Sequence, residues 1–147
     1  QNVTLPTMGK YAKAGFNDNK KERAIAKKLL EEVDTKAVTI FDPASSLSGG
    51  NQQKVVVAKA LGQEMKVVIM DEPTKGVDVG AKAEIYQIIG DLAKQGYGII
   101  LISSEMPEIL GMSDRIVIMC NGKVTGELNR HEASQEGILE LAMEKSK

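Results

Sequence analysis

The sequence predicts an α/β fold in which helices flank a parallel sheet. Residues 67–70 and 99–102 are short apolar runs without polar alternation, and a segment with helical periodicity lies between them. Runs of this length and character are typical of strands that are buried on both faces of a parallel sheet. Their alternation with helical segments is the pattern of an α/β protein.

The first part of the chain, residues 1–46, reads as part of a small helical subdomain. Asn19-Lys20-Lys21-Glu22 has the spacing of a capping box, in which the first side chain caps a helix and the fourth reaches back to it. The residues that would form one apolar helical face are Ala26, Leu29, Leu30 and Val33. We expect this part to be distinct from the core formed by residues 47–147.

The core elements are expected in a fixed order. Apolar positions repeat with helical spacing, and glycines stand where two of the helices should end. Asn121-Gly122 between two apolar runs is the strongest short signal for a hairpin. The predicted elements are a helix closed by Gly62, a strand ending at Asp71, a helix over 80–95 stopping at Gly96, a strand over 99–102, a short helix near Glu105 capped by Ser103 or Ser104, a hairpin over 116–128, and an amphipathic helix over 132–145 that uses Ile138, Leu139, Leu141 and Ala142.

Composition restricts the classes of function. The formal net charge of -1 provides no field over the whole chain that would attract nucleic acid or anionic lipid. The single cysteine, Cys120, cannot form a disulfide framework or a zinc cluster by itself, and it suits a reducing cytoplasm. The longest apolar run, residues 116–120, is far shorter than the roughly 20 residues that span a bilayer. A role at a membrane would therefore require a partner.

Polar side chains stand where both predicted strands end. Asp71 and Glu72 follow the first strand, and Ser103 and Ser104 follow the second. Open α/β sheets bind their ligands beyond the carboxyl ends of the strands, so these side chains are candidates for a ligand site. The alternative is that Asp71 and Glu72 only begin an acidic turn after a core strand.

A glycine pair opens the helix that Gly62 closes. Adjacent glycines allow close approach of the backbone to a phosphate, and the N-terminus of a helix offers unpaired N–H groups. Ser48, directly before Gly49-Gly50, adds a hydroxyl donor. For the two glycines alone, an ordinary loop would be the better interpretation.

The longer motifs resemble a known family. Residues 47–54, Leu-Ser-Gly-Gly-Asn-Gln-Gln-Lys, are similar to the signature loop of ABC transporter ATPases, and residues 67–74 are similar to their Walker B strand. The segments DEPTKGVDVGAK and SSEMPEILGMSDRI are similar to the second nucleotide-binding half of tandem ribose- or galactose-type import ATPases. The resemblance extends over nearly the whole chain and implies a truncated P-loop NTPase-like fold with a C-terminal hairpin and helix.

The resemblance implies that ATP and Mg²⁺ are the cofactors, with Asp71 holding Mg²⁺ directly or through water. Glu72 would orient and deprotonate the attacking water, and Asp78 of the D-loop would communicate between two ATP sites. In this family the signature loop closes over the ATP that the opposite half holds. Its residues here would be Ser48, Gly49, Gly50, Asn51 and Gln52, with Asn51 where many members have Gln.

Two departures from the family pattern are expected to matter. No run of Gly, four residues, Gly-Lys and then Ser or Thr exists, so a Walker A loop is missing. Because the chain also opens on Gln1, we expect it to be a C-terminal piece that is inactive alone. Ser104 replaces the switch histidine, and His131 is expected on the surface. Serine cannot bring imidazolium charge to a transition state, so poor hydrolysis is expected at that site.

The resemblance also implies partners and a location. These are the other ATPase half in the same polypeptide, a transmembrane permease and, indirectly, a sugar-binding protein, with the ATPase on the cytoplasmic face of the membrane. No nucleic acid is expected, whereas self-association of the piece is. Two alternatives stay open, namely the C-terminal half of a DNA-repair or chromosome-condensation ATPase and a non-enzymatic assembly module. No heptad pattern precedes the signature, which disfavours the first.

Overall fold

The computed structural model describes residues 2–10, 12–13, 16–36, 39–63 and 65–143. The chain forms two compact units, one of Gln1–Ile69 with Pro73–Ile100 and one of Met70–Glu72 with Leu101–Lys147. The α/β class predicted from the sequence is confirmed. None of the helices in the described ranges combines the length and the apolar character that crossing a membrane requires.

The first unit contains three long helices. A 3₁₀ helix over Leu5–Lys10 and a two-stranded antiparallel hairpin, which the sequence did not predict, precede them. The elements are β1 (Ala12–Lys13), β2 (Phe16–Asn17), α1 (Asn19–Glu32), α2 (Gly49–Leu61) and α3 (Val79–Lys94). The unit also contains β3 (Val67–Asp71) as far as Ile69 and β4 (Gly98–Ile102) as far as Ile100.

Helix α1 begins one residue earlier than the capping box predicts. Asp18 is the N-cap, and its carboxylate accepts hydrogen bonds from the backbone N–H groups of Lys20 and Lys21. Glu22 does not reach back to the cap, because its carboxylate is buried and accepts from Thr4 Oγ1 at 2.8 Å and from Asn17 Nδ2 at 2.7 Å. This interaction joins the chain before α1 to the helix, and the predicted capping box is wrong.

Strands β3 and β4 are neighbours in one sheet. Gly98 donates its N–H to the Lys66 carbonyl and Glu72 donates its N–H to the Ile102 carbonyl, so both strands advance in the same direction. This parallel pairing is as predicted, but the expected burial on both faces is wrong. Burial alternates along β3, with Val68 and Met70 buried and Ile69 65% exposed, because no described element covers the second face.

The second unit contains the ends of β3 and β4, followed by α4 (Met106–Met112), β5 (Arg115–Cys120), β6 (Lys123–Asn129) and α5 (Gln135–Ala142). Strands β5 and β6 form the predicted antiparallel hairpin, and Asn121 and Gly122 have the positive φ values, 48° and 76°, that a tight hairpin turn needs. Ile116, Ile118 and Ile138 form the core between the hairpin and α5.

Two helix predictions in the second unit need correction. The N-cap of α4 is Glu105, whose side chain makes no capping hydrogen bond, so neither Ser103 nor Ser104 caps this helix. The Ser103 hydroxyl instead accepts from the Glu105 N–H at 3.0 Å. The last helix begins at Gln135 because the Ser134 hydroxyl caps it through the Gly137 N–H, and 144–147 lie outside the described residues. Leu139 is 44% exposed rather than on the apolar face.

Candidate functional site

Ser48 sets the start of the signature helix α2. It lies in extended backbone as the N-cap, and its hydroxyl oxygen is 3.5 Å from the backbone nitrogen of Asn51 and 2.9 Å from Asn51 Nδ2, which donate to it. The Gln52 side chain donates to the Leu47 carbonyl at 2.8 Å. Ser48 and Gly49 are exposed, so the start of α2, where the first N–H groups of a helix have no partner within it, faces solvent.

The two signature glycines have different surroundings. A Cβ built on Gly49 would meet no atom within 4 Å. A Cβ on Gly50 would lie 2.5 Å from the Cβ of Ala81 in α3, a separation that packed carbon atoms do not adopt. Gly50 is therefore required for the close packing of α2 on α3, whereas Gly49 leaves the helix N-terminus open to a ligand.

A buried lysine ties the signature helix to two neighbouring elements. Lys54 is 1% exposed, and its ammonium donates to the Asp34 carbonyl at 2.8 Å and pairs with Glu84 of α3 at 2.8 Å. The hydrogen bond and charge of Lys54, together with the charge of Lys36, hold the pKa of Glu84 below its ordinary value of 4.5. A buried lysine requires such partners, because an unpaired ammonium is costly away from water.

The end of β3 brings Glu72 and Ser104 together. Glu72 has a φ of 46°, in the left-handed region that non-glycine residues rarely occupy, and its side chain accepts from the Ser104 backbone N–H at 3.0 Å. Strained backbone of this kind is concentrated at functional sites. The preceding carboxylate, Asp71, is exposed.

Asp78 is the N-cap of helix α3. Its carboxylate caps the helix by accepting from the Ala81 N–H at 3.0 Å, and Gly76 in the preceding loop has a φ of 73°. The capping bond involves one carboxylate oxygen, Oδ1. The loop before α3 is thus fixed at its end by a helix cap.

The donor set at the end of β3 suits Mg²⁺ rather than a metal held entirely by protein. No group of three or more His, Cys, Asp or Glu side chains is arranged for a metal within the described ranges. Mg²⁺ is usually bound by one or two carboxylates, with water and substrate phosphates completing its octahedron. The exposed carboxylate of Asp71 can contribute such a ligand, so the residues fit the ion.

The contacts that hold the signature helix were not predicted from the sequence. Lys54 lies on the same helical face as buried Gly50, Val57, Ala58 and Leu61. A charged residue at a position with core periodicity was therefore the signal that could have revealed its buried ion pair.

The predicted site residues lie in both units. Residues Ser48 to Gln52 and Asp78 are in the first unit, and Asp71, Glu72 and Ser104 are in the second. His131 is exposed beside Glu132, as predicted. A cavity of about 370 Å³ in the first unit is lined by none of these residues.

Comparison with known proteins gives matches over almost the whole chain. It is 51% identical to the ribose import ATP-binding protein RbsA of Lactococcus lactis subsp. cremoris over 96% of its length. It is also 51% identical to the xylose import ATP-binding protein XylG of Geobacillus kaustophilus over 97%. The chain spans 29% and 28% of these two relatives, respectively.

The fold is also shared with solved structures. A dimeric bacterial ABC transporter cassette superimposes with a TM-score of 0.72 at 24% identity, covering 87% of this chain and 54% of that one. A nucleotide-free ATP-binding cassette gives 0.78 at 22% identity, covering 98% and 62%. At these identities the likeness concerns the fold alone. The model of the ABC transporter family matches residues 2–75, which include the signature helix and the end of β3, and the chain therefore belongs to the ABC transporter family.

Proposed function

We propose that the chain is part of an ATPase that powers sugar import across the cytoplasmic membrane. The observation that carries this proposal is the identity of about half its residues, over nearly its whole length, to proteins named for ribose and xylose import. Because it spans 29% of the ribose relative, the complete activity belongs to a longer polypeptide. This chain would contribute most of the second of two ATPase halves, with residues 1–46 in its helical subdomain.

The signature residues would act on ATP held by the other half. The exposed N-terminus of α2, which carries the positive end of the helix dipole, suits an anionic phosphate. Ser48, Gly49 and Gly50 would contact the γ-phosphate, with Asn51 and Gln52 next to them. Asp78 would link the two ATP sites. Closure of both halves around ATP would change the access state of a permease, and hydrolysis would reset it.

Asp71 and Glu72 would serve ATP of their own half. Asp71 would hold Mg²⁺, which neutralises phosphate charge when bound. Glu72 would orient the attacking water and accept its proton. Its carboxylate accepts from the Ser104 N–H, so the segment directly after β4 also orients the proposed base. With serine at the switch position, we propose that this half hydrolyses ATP slowly.

The proposed partners follow from the names of the relatives. A permease would receive the conformational change, and a separate sugar-binding protein would deliver the substrate, so this chain would stay at the cytoplasmic face of the membrane. Its net charge of -1 supports no role in binding nucleic acid. Because no Walker A sequence is present, this chain alone would be inactive.

Calorimetric titration of MgATP into this chain tests whether the chain can bind ATP without a Walker A loop. We expect no detectable binding, because capture of ATP would depend on a Walker A loop that the sequence does not contain. The full-length protein is the control and should bind MgATP. Micromolar binding to the chain that is lost in Asp71→Asn would contradict the proposal, because it would reveal a phosphate site of a different kind.

We also propose that the isolated chain self-associates through the exposed face of its sheet. Val67 is 50% exposed, Ile69 65% and Ile100 49%, which places apolar side chains of adjacent strands in water. Exposed apolar faces and strand edges favour association. Sedimentation should show a species larger than the monomer, and Ile69→Lys should reduce it. A monomer at high concentration would exclude this association.

A further inference from the structure

The hydrogen bonds around Asn51 determine which way its amide points. The backbone N–H of Lys36 donates to Asn51 Oδ1 at 2.8 Å. Because an N–H group needs an acceptor, this contact assigns the oxygen to the Lys36 side and the amide nitrogen to the other side. Asn51 Nδ2 then lies 2.9 Å from the Ser48 hydroxyl oxygen and can only donate to it.

This orientation also determines what the Ser48 hydroxyl can do. Its oxygen accepts from the side chain and the backbone N–H of Asn51. A hydroxyl has one proton to donate, and neither group of Asn51 can accept it. No acceptor for that proton appears within the described part of the chain, and Ser48 is exposed. The hydroxyl is thereby prepared to donate to an external oxygen.

The turn that orients Asn51 is itself anchored. Asp34, with a φ of 47°, accepts from the buried ammonium of Lys54 at 2.8 Å through its carbonyl. Glu84 of α3 pairs with Lys54 at 2.8 Å and lies 3.5 Å from the ammonium of Lys36. The turn after α1 is thus held by both α2 and α3, so the Lys36 N–H has a defined place relative to Asn51.

We propose that Asn51 is a positioning residue, which the turn Asp34–Lys36 holds so that the Ser48 hydroxyl donates a hydrogen bond to a nucleotide phosphate oxygen. The inference rests on the proposed function, in which the N-terminus of α2 meets ATP. It assigns to Asn51 an action through Ser48 rather than a contact of its own with the nucleotide.

A double-mutant cycle in the full-length protein tests this action. Ser48→Ala, Asn51→Ala and the double variant are compared by kcat and KM for ATP, with Lys59→Ala, an exposed position on the same helix, as control. Ser48→Ala should lower kcat/KM by about tenfold or more, since it removes a hydrogen bond to a charged group. Asn51→Ala should lower it by roughly three- to tenfold, because the hydroxyl then loses its fixed orientation.

If Asn51 acts by positioning Ser48, the effects of the two substitutions on kcat/KM will not be additive. In the Ser48→Ala background, Asn51→Ala should have no further effect, because its action requires the hydroxyl. Equal losses from Asn51→Ala in both backgrounds would overturn the inference, because a direct contact or a general loosening of the helix would be additive. If Ser48→Ala and Gly49→Asp both left turnover unchanged, the proposed function itself would fail, so the two failures are distinguishable.

Discussion

The N-terminus of α2 and the end of β3 both present polar groups to solvent, but they are held in place by different means. At α2, a buried lysine, a helix cap and a side-chain amide form a connected set of hydrogen bonds to two other elements. At β3, one side-chain hydrogen bond and one strained backbone conformation orient Glu72. The signature is thus positioned by tertiary packing, and the predicted base by its own backbone and by the segment that follows β4.

This difference has consequences for substitution. A change in the packing around α2 should reach the helix N-terminus, because several elements share the same contacts. A change at the end of β3 should stay local, because Glu72 depends on its own backbone and on Ser104. Four predictions test the comparison through stability, catalytic rate and pH dependence.

The largest effect on stability is expected from Gly50→Ala. The new Cβ would lie 2.5 Å from that of Ala81 and should cost about 1 to 3 kcal/mol through overpacking. Urea unfolding measures this cost, and Gly49→Ala, where nothing lies within 4 Å, is the matched control. Ala81→Gly should restore stability to Gly50→Ala. Without such rescue, the close packing of α2 and α3 would not explain the cost.

Ser104→His should raise hydrolysis at the site of Asp71 and Glu72. An imidazolium near the γ-phosphate would stabilise developing negative charge, and a gain of about tenfold or more is expected. The measurement is ATP turnover in the full-length protein with the other site disabled. Glu72→Gln should abolish the gain. Unchanged turnover after Ser104→His would mean that serine does not limit this site.

Backbone strain at Glu72 predicts a smaller effect on stability, in which glycine is more stable than alanine, the reverse of their order inside a helix. Because φ is 46°, Glu72→Gly should be about 1 kcal/mol more stable than Glu72→Ala, although both lose the bond to Ser104. Urea midpoints of the two variants give the difference. At Lys59 in the middle of α2, alanine should instead be more stable than glycine. If alanine were the more stable residue at both positions, position 72 would carry no strain.

The smallest effect concerns the ion pair of Lys54 and Glu84. Because the folded state lowers the pKa of Glu84, the pair contributes fully above 4.5, the ordinary pKa, and its contribution disappears as the pH falls through the lowered value. The stability difference between wild type and Glu84→Gln, measured by urea unfolding, should therefore shrink below pH 4.5. The same difference at pH 3 and pH 7 would show that the carboxylate charge is not involved.

Local patterns predicted much of the fold because their causes are local. The Asn121-Gly122 turn, the stop at Gly96 and the run that ends at Asp71 each depend on a few adjacent residues, and the hairpin and strand pairing were confirmed. The exposed face of β3 was mispredicted because burial depends on which elements cover the sheet, which an apolar run does not specify.

In the candidate site, too, local motifs were predictable from the sequence and tertiary contacts were not. The motif identified the residues around Ser48 and Asp71, whose roles stay predictions. The amide of Asn51 bonded to Lys36, and the pairing of Lys54 with Glu84, join residues 15 and 30 positions apart that only tertiary packing brings together. The left-handed conformation of Glu72 could not be predicted from the sequence either, because glutamate has no preference for positive φ.

We expect the signature of this chain to support most ATP turnover in the full-length protein and its own strand end to support little. The measurement that separates the two is ATP turnover by the full-length protein with Gly49→Asp or Glu72→Gln. An aspartate at Gly49 has space and suits a helix N-terminus, but it would repel phosphate. We expect Gly49→Asp to lower turnover by about 100-fold, Lys59→Ala, an exposed position on the same helix, to change it little, and Glu72→Gln to retain at least half. Near-complete loss in Glu72→Gln with normal turnover in Gly49→Asp would mean that the end of β3, and not the signature, supports turnover.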